Sequence, residues 1–209
     1  MSKAEVYIIE SLDLSDEDSR KEGEIISRTL TLAGKKPIYR YVRTKREFSY
    51  FIEDFKKTDY RYLHISCHGN QDLICLTMNK MNNEEFAKIV GPALDKKRLF
   101  LSACLATTEY LAKEVFAHGS CRSVAGPASS INFDDAAIFW TAFYHLMFKK
   151  EAKSMANRDI VASIMAFGWA LAEQFHFFRP DTNGNVKGLT LPSNETLEKR
   201  IDGWLTTGM

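Results

Sequence analysis

Short β-rich runs alternate with amphipathic helical stretches along most of this chain, and that alternation leaves few folds open. Val6-Tyr7-Ile8-Ile9 has the length and residue types of a buried strand. Ser15 then reads as the cap of a helix with acids in its first turn, an apolar stripe at Ile25, Ile26 and Leu30, and Gly34 at its end. A second strand is expected over Ile38 to Val42. A capping box at Thr44 and Glu47 follows, opening a helix with Phe48, Phe51, Ile52 and Phe55 on one face. Tyr62 to Ser66 is a third strand, Leu73 to Thr77 a short hairpin arm, and Asn83 opens a helix carrying Phe86, Ile89 and Val90. Leu99 to Leu101 is a further strand, followed by a helix from about Thr107 to Ala117 and a short strand over Ser123 to Ala125. Helices are then expected from Asn132 to Phe148 and from Ser154 to Phe175, a strand over Val186 to Leu191, and a last helix to Trp204.

Strands separated by helices pair in parallel, with the helices covering both faces of the sheet. The expected class is therefore α/β, with a mostly parallel central sheet. The 209 residues fit one domain, 1–209, with no repeat, linker or low-complexity run. A net charge of +1 argues against nucleic acid as a partner. The most apolar stretch, Ala136 to Phe148, stops at Lys149 and Lys150, short of a membrane span. Glu5, Glu10 and Asp13 interrupt any signal-peptide core, and four cysteines in or beside apolar runs suit a reducing, cytoplasmic setting.

In such a sheet, functional groups gather at the carboxyl ends of the strands. Two tips carry reactive side chains: Cys67-His68-Gly69 after the third strand, and Ser102-Ala103-Cys104 after the fourth. If those strands are neighbours, His68 and Cys104 end side by side. A thiolate nucleophile next to an imidazole is what thiol-dependent acyl transfer requires. Gly69 lets the backbone approach a substrate, and its N–H could join that of Cys104 in an oxyanion hole. A helix starting near Thr107 would also point the positive end of its dipole at Cys104.

The segments YLHISCHG (62–69) and RLFLSAC (98–104) resemble the His and Cys motifs of caspase-like cysteine proteases, most closely the CHAT branch. SVAGP, DDAAIFWTAFYHLM and ALAEQF are similar in order and character to the strand and closing helices of that branch, so the resemblance covers about residues 60–175. It implies the caspase-haemoglobinase fold, a catalytic His68–Cys104 dyad, hydrolysis of a peptide bond in a protein substrate, and no cofactor. It also implies a setting in bacterial defence or programmed death, with a separate sensor or activator protein as a partner. Leu105-Ala106-Thr107 departs from the acidic or Gly-containing tail often found after the cysteine. The alternative is a non-catalytic or partner-activated interaction module on the same fold. A small-molecule hydrolase on a similar sheet is a third reading.

The remaining candidates have plainer explanations. Cys67 and His68 are adjacent strand residues and point to opposite faces, which makes them poor co-ligands, so no metal site is expected. Cys75 and Cys121 read as core thiols, and His64 as a core histidine about 13 Å from His68 along the strand. Residues 1–24 hold eight acids and three bases, and residues 35–61 nine bases and four acids. Solvated faces and helix capping explain most of these. The sharper reading is an acidic rim that selects a basic substrate residue, formed by Asp13 with Asp134 and Asp135 in competition. The aromatic stripe from Phe139 to Phe148 reads as packing on a helix buried nearly all round.

Overall fold

The computed structural model describes residues 3–151 and 153–194, and its nine strands and six helices follow the expected order except for two added strands, Lys80–Asn82 and Phe175–Pro180. The strands are β1 (Lys3–Ser11), β2 (Ile38–Tyr41), β3 (Tyr60–Gly69), β4 (Leu73–Cys75), β5 (Lys80–Asn82), β6 (Arg98–Ser102), β7 (Ser123–Pro127), β8 (Phe175–Pro180) and β9 (Val186–Leu191). The helices are α1 (Glu22–Leu32), α2 (Lys45–Lys57), α3 (Asn83–Val90), α4 (Glu109–His118), α5 (Phe133–Lys150) and α6 (Asn157–Leu171). The sheet runs β2-β1-β3-β6-β7-β8-β9. The first five strands are parallel, β8 and β9 are antiparallel, and β4–β5 form an antiparallel arm on β3.

Strand alternation sorts the side chains onto two faces. Tyr7, Ile9, Leu63, Ile65, Leu99 and Leu101 join Phe48, Ile52 and Phe55 of α2, Phe86 of α3 and Val115 of α4 in one apolar layer. Val6, Ile8, Tyr62 and Phe100 meet Ile26 of α1, Trp140 and Phe143 of α5 and Ile164 of α6 in the other. The capping box at Thr44 and Glu47 forms as expected.

Three local expectations change. Ser15 does not cap α1. Residues 14–19 are turn, and the helix starts at Glu22, burying Ile26 and Leu30 but leaving Ile25 exposed. The helix expected to reach Phe175 stops at Leu171, where Ala172 takes a left-handed conformation (φ 59), and Phe175 opens β8 instead. Finally, α5 is one-sided: Trp140, Phe143 and Tyr144 are buried, whereas Ile138 and His145 face solvent. The expected helix to Trp204 lies outside the described residues. No helix among the described residues is long and apolar enough to cross a membrane.

One buried acid makes the fold pH-sensitive. Glu10 of β1 is fully buried, accepting the Gly23 N–H (2.7 Å) and the Tyr39 hydroxyl (2.7 Å). Burial, opposed by those two hydrogen bonds and reinforced by the neighbouring Glu22, raises its pKa from 4.5 to about 7. The native state therefore holds a proton that the unfolded chain has released, and stability falls as pH rises from 4.5 to about 7. Glu10→Gln should remove this slope and stabilise the protein at pH 8 by roughly 2–3 kcal/mol. Urea denaturation at pH 5 and pH 8 checks it. An equal slope in the variant would assign the pH dependence to other groups.

Candidate active site

The parallel pairing of β3 with β6 matches Ser66 to Ser102, an offset of 36 residues. Carried two residues on, the same offset sets His68 level with Cys104. His64, Ser66 and His68 alternate onto the face that also carries Phe100 and Ser102, the face covered by α1 and α5. Cys67 points into the opposite layer, so it cannot join His68 at one ion. His68 and Cys104 both line a cleft of about 710 Å3, walled by Arg20, Glu22, Ile131, Phe133 and Asp134.

The imidazole is held on several sides. His68 Nε2 lies 3.1 Å from Asp16 Oδ2 and 3.8 Å from Asp13 Oδ2. Asp16 in turn pairs with Arg20 at 3.3 Å. Arg20 lies over the Phe133 ring, and the Phe133 ring packs edge-on against His68 at 5.3 Å. The turn at residues 14–19, which reads in the sequence as a helix start, instead carries an acid to the histidine. Asp13, Asp16 and His68 also bring three ligand atoms within 4.8 Å of one another, a set that could grip a divalent cation. The sequence reading weighed Cys67 with His68 and missed this set.

Cys104 is half-buried, and its Sγ lies 3.6 Å from the Ile131 carbonyl. Among the described residues no hydrogen bond joins Cys104 to His68. Leu105, directly after the cysteine, is left-handed (φ 58), a conformation that costs a non-glycine residue about 1–2 kcal/mol. The next helix starts at Glu109, and its Leu111 N–H is already taken by the Thr108 side chain. The dipole argument for Cys104 is thereby weaker than a start at Thr107 suggested. Gly69 is hemmed in: a Cβ there would lie 3.1 Å from both Ala103 and Ala106 of the cysteine loop.

Beneath the cleft lies an acid the sequence reading missed. Glu22 is 3% exposed, and its Oε2 accepts the hydroxyls of Ser66 (3.1 Å) and Ser102 (3.0 Å). It thus cross-links the tips of β3 and β6, two residues before His68 and Cys104. Its Oε1 makes no hydrogen bond and lies 3.5 Å from the equally unbonded His64 Nε2. His64 Nδ1 meets the Tyr144 hydroxyl at 3.0 Å. In the sequence Glu22 looks like any acid in a helix's first turn.

The three acids proposed for specificity separate. Asp134 lines the cleft. Asp135 does not, and lies 3.4 Å from Asn132 Nδ2. Asp13 sits on the far side of His68, in a second crevice of about 510 Å3 formed with the β4–β5 arm. Cys75 lines that crevice too, so it is not the core thiol expected. Cys67 and Cys121 are buried, and burial pushes Cys121 up to about 12 and Cys67 higher still.

The mostly parallel sheet, covered on both faces by helices, matches a caspase-like fold. The crystal structure of caspase-1 from Spodoptera frugiperda superposes with a TM-score of 0.50 at 15% identity, covering 79% of this chain and 77% of that one. No family model and no curated protein matches the chain.

Proposed function

We propose that this chain is a CHAT-like cysteine endopeptidase. The observation that carries the reading is the register between β3 and β6, which sets His68 level with Cys104 on one cleft. His68 takes the thiol proton on Nδ1, since Nε2 is engaged by Asp16. Cys104 Sγ then attacks the scissile carbonyl carbon, and the N–H groups of Gly69 and Cys104 receive the oxyanion. The imidazolium returns the proton to the leaving amine, and water hydrolyses the thioester. Asp16, itself fixed by Arg20, orients the ring and offsets its positive charge, the role of the acid in a triad. The mechanism uses no cofactor.

The acids around the cleft favour a substrate with Arg or Lys before the cut. Asp134 stands on the rim, and Glu22 lies beneath the floor with its unbonded oxygen turned to the buried His64, so that it acts through its charge alone. Digestion of a peptide library, with the cut sites read by mass spectrometry, tests both levels of this reading. Cuts should follow Arg or Lys. Cuts mainly after apolar or acidic residues would end the basic preference and leave the peptidase. The missing Cys104–His68 hydrogen bond favours a second reading, in which a sensor or activator protein closes the dyad. Cleavage that appears only when such a partner is added supports it. No cleavage of any peptide or protein, with or without the partner, would sink the peptidase and leave a non-catalytic module.

A further inference from the structure

At the end of the sheet opposite Cys104, β6 and β7 begin beside a crevice of about 580 Å3. Arg98, Phe116, Ser120, Arg122 and Asn157 are among its walls. A smaller crevice adjoins it, sharing Arg98 and Arg122 and adding Arg61 and Lys96. Among the described residues, no Asp or Glu lines either one. The nearby acids are engaged or turned elsewhere. Asp159 faces Lys150 at 4.0 Å, and Asp181 is tied to the Asn183 and Asn185 N–H groups of its own turn and faces Lys187 at 3.9 Å. Asp95 is exposed, and its charge acts on Lys97.

Arg98 is the unusual member. It is 7% exposed, and its three hydrogen bonds go to neutral acceptors: Ser123 Oγ (2.7 Å), Asn157 Oδ1 (2.7 Å) and the Met155 carbonyl (2.9 Å). Those bonds tie the segment before α6 to the sheet, but none neutralises the guanidinium. Buried charges are ordinarily paired, because removing an ion from water is costly. Burial lowers the Arg98 pKa, and the like charge of Arg122 lowers it further. Helix α6 opens on the same rim at Asn157 without a side-chain cap, adding the positive end of its dipole. Among the described residues, every fixed charge lining this crevice therefore has one sign.

We propose that the crevice binds the phosphate group of a phosphorylated small molecule, gripped by Arg98 and Arg122. A phosphate monoester carries up to about two negative charges, enough to answer two guanidiniums, and its oxygens suit the planar guanidinium fork. The volume lies in the range of small-molecule sites, and the half-buried Phe116 supplies an apolar wall for the rest of the ligand. This site is independent of the dyad and of the proposed cleavage.

Isothermal titration of the full chain at fixed ionic strength, with ADP, inorganic phosphate and adenosine in turn, tests the proposal. ADP or phosphate should bind saturably with a stoichiometry near one, and adenosine should not. Arg122→Glu, at an exposed position, should weaken that binding at least tenfold while leaving the circular dichroism unchanged. Arg98→Lys, which keeps the charge and loses the fork, should weaken it as well. Arg98 also anchors a loop, so Arg122→Glu is the deciding variant. The absence of saturable binding by both ADP and phosphate at millimolar concentration would overturn the proposal. So would adenosine binding as tightly as ADP, or an affinity indifferent to Arg122→Glu.

Discussion

Cys104→Ala is expected to abolish cleavage, lowering the rate by at least about four orders of magnitude, as loss of a nucleophile does in enzymes whose groups act as a unit. His68→Ala should cost about 10²–10⁴-fold, the usual contribution of a positioned general base. Asp16→Asn should cost less than either, because the imidazole keeps a hydrogen-bond partner and loses the opposing charge. The ordering separates a working dyad from two residues that merely share a cleft. Limiting iodoacetamide offers a second readout. Cys104 should be labelled before Cys67 and Cys121, which are buried and raised, and before Cys75, which burial also raises. Full cleavage by Cys104→Ala, or first labelling at Cys67, Cys75 or Cys121, would remove the dyad from the mechanism.

Gly126→Ala should be among the most damaging single methyl groups at the described residues. Gly126 lies in β7 beside β6, and a Cβ there would press into the Leu101 carbonyl and the Thr107 hydroxyl, closer than real Cβ contacts come. Leu101 is three residues before Cys104, and Thr107 is three residues after it, so the strain falls on both ends of the cysteine loop. Backbone cannot yield as a flexible side chain would. Overpacking of this kind costs about 1–3 kcal/mol and sometimes more. For a chain of this size about 3 kcal/mol lowers Tm by roughly 6–12 °C. Thermal unfolding should show that fall, and cleavage measured well below the new Tm should drop as well. A variant with unchanged Tm and unchanged cleavage would mean that β7 can move away from β6 at no cost, contrary to the packing described.

The sheet was legible in the sequence because buried strands and amphipathic helices have different periods, and His68 and Cys104 stood out as candidates because both motifs end apolar strand runs. Asp16 was misread as a first-turn acid, and Glu22 was passed over, for one physical reason. An acid near a helix start is favoured by the helix dipole whatever else it does, so local pattern cannot distinguish a capping acid from one turned onto a neighbouring strand. That ambiguity also set the start of α1 too early, at Ser15. Strand β8 was absorbed into the preceding helix because Phe175, Phe177 and Phe178 continue an apolar run, and the stop at Ala172 lacks the glycine that usually signals one. The separation of Asp134 from Asp135 depends on side-chain direction at the start of α5, which spacing alone does not give.

Cys104, His68, Asp16 and Phe133 come from four segments of the chain, and nothing but the assembled sheet brings them together. Pairing of β3 with β6 closes a long loop, and such non-local pairings form late and slowly. A nascent or half-folded copy therefore has a thiol in one place and an imidazole in another. The two groups meet only once the sheet is assembled, so the proposed cleavage should return together with tertiary structure on refolding, and not before it.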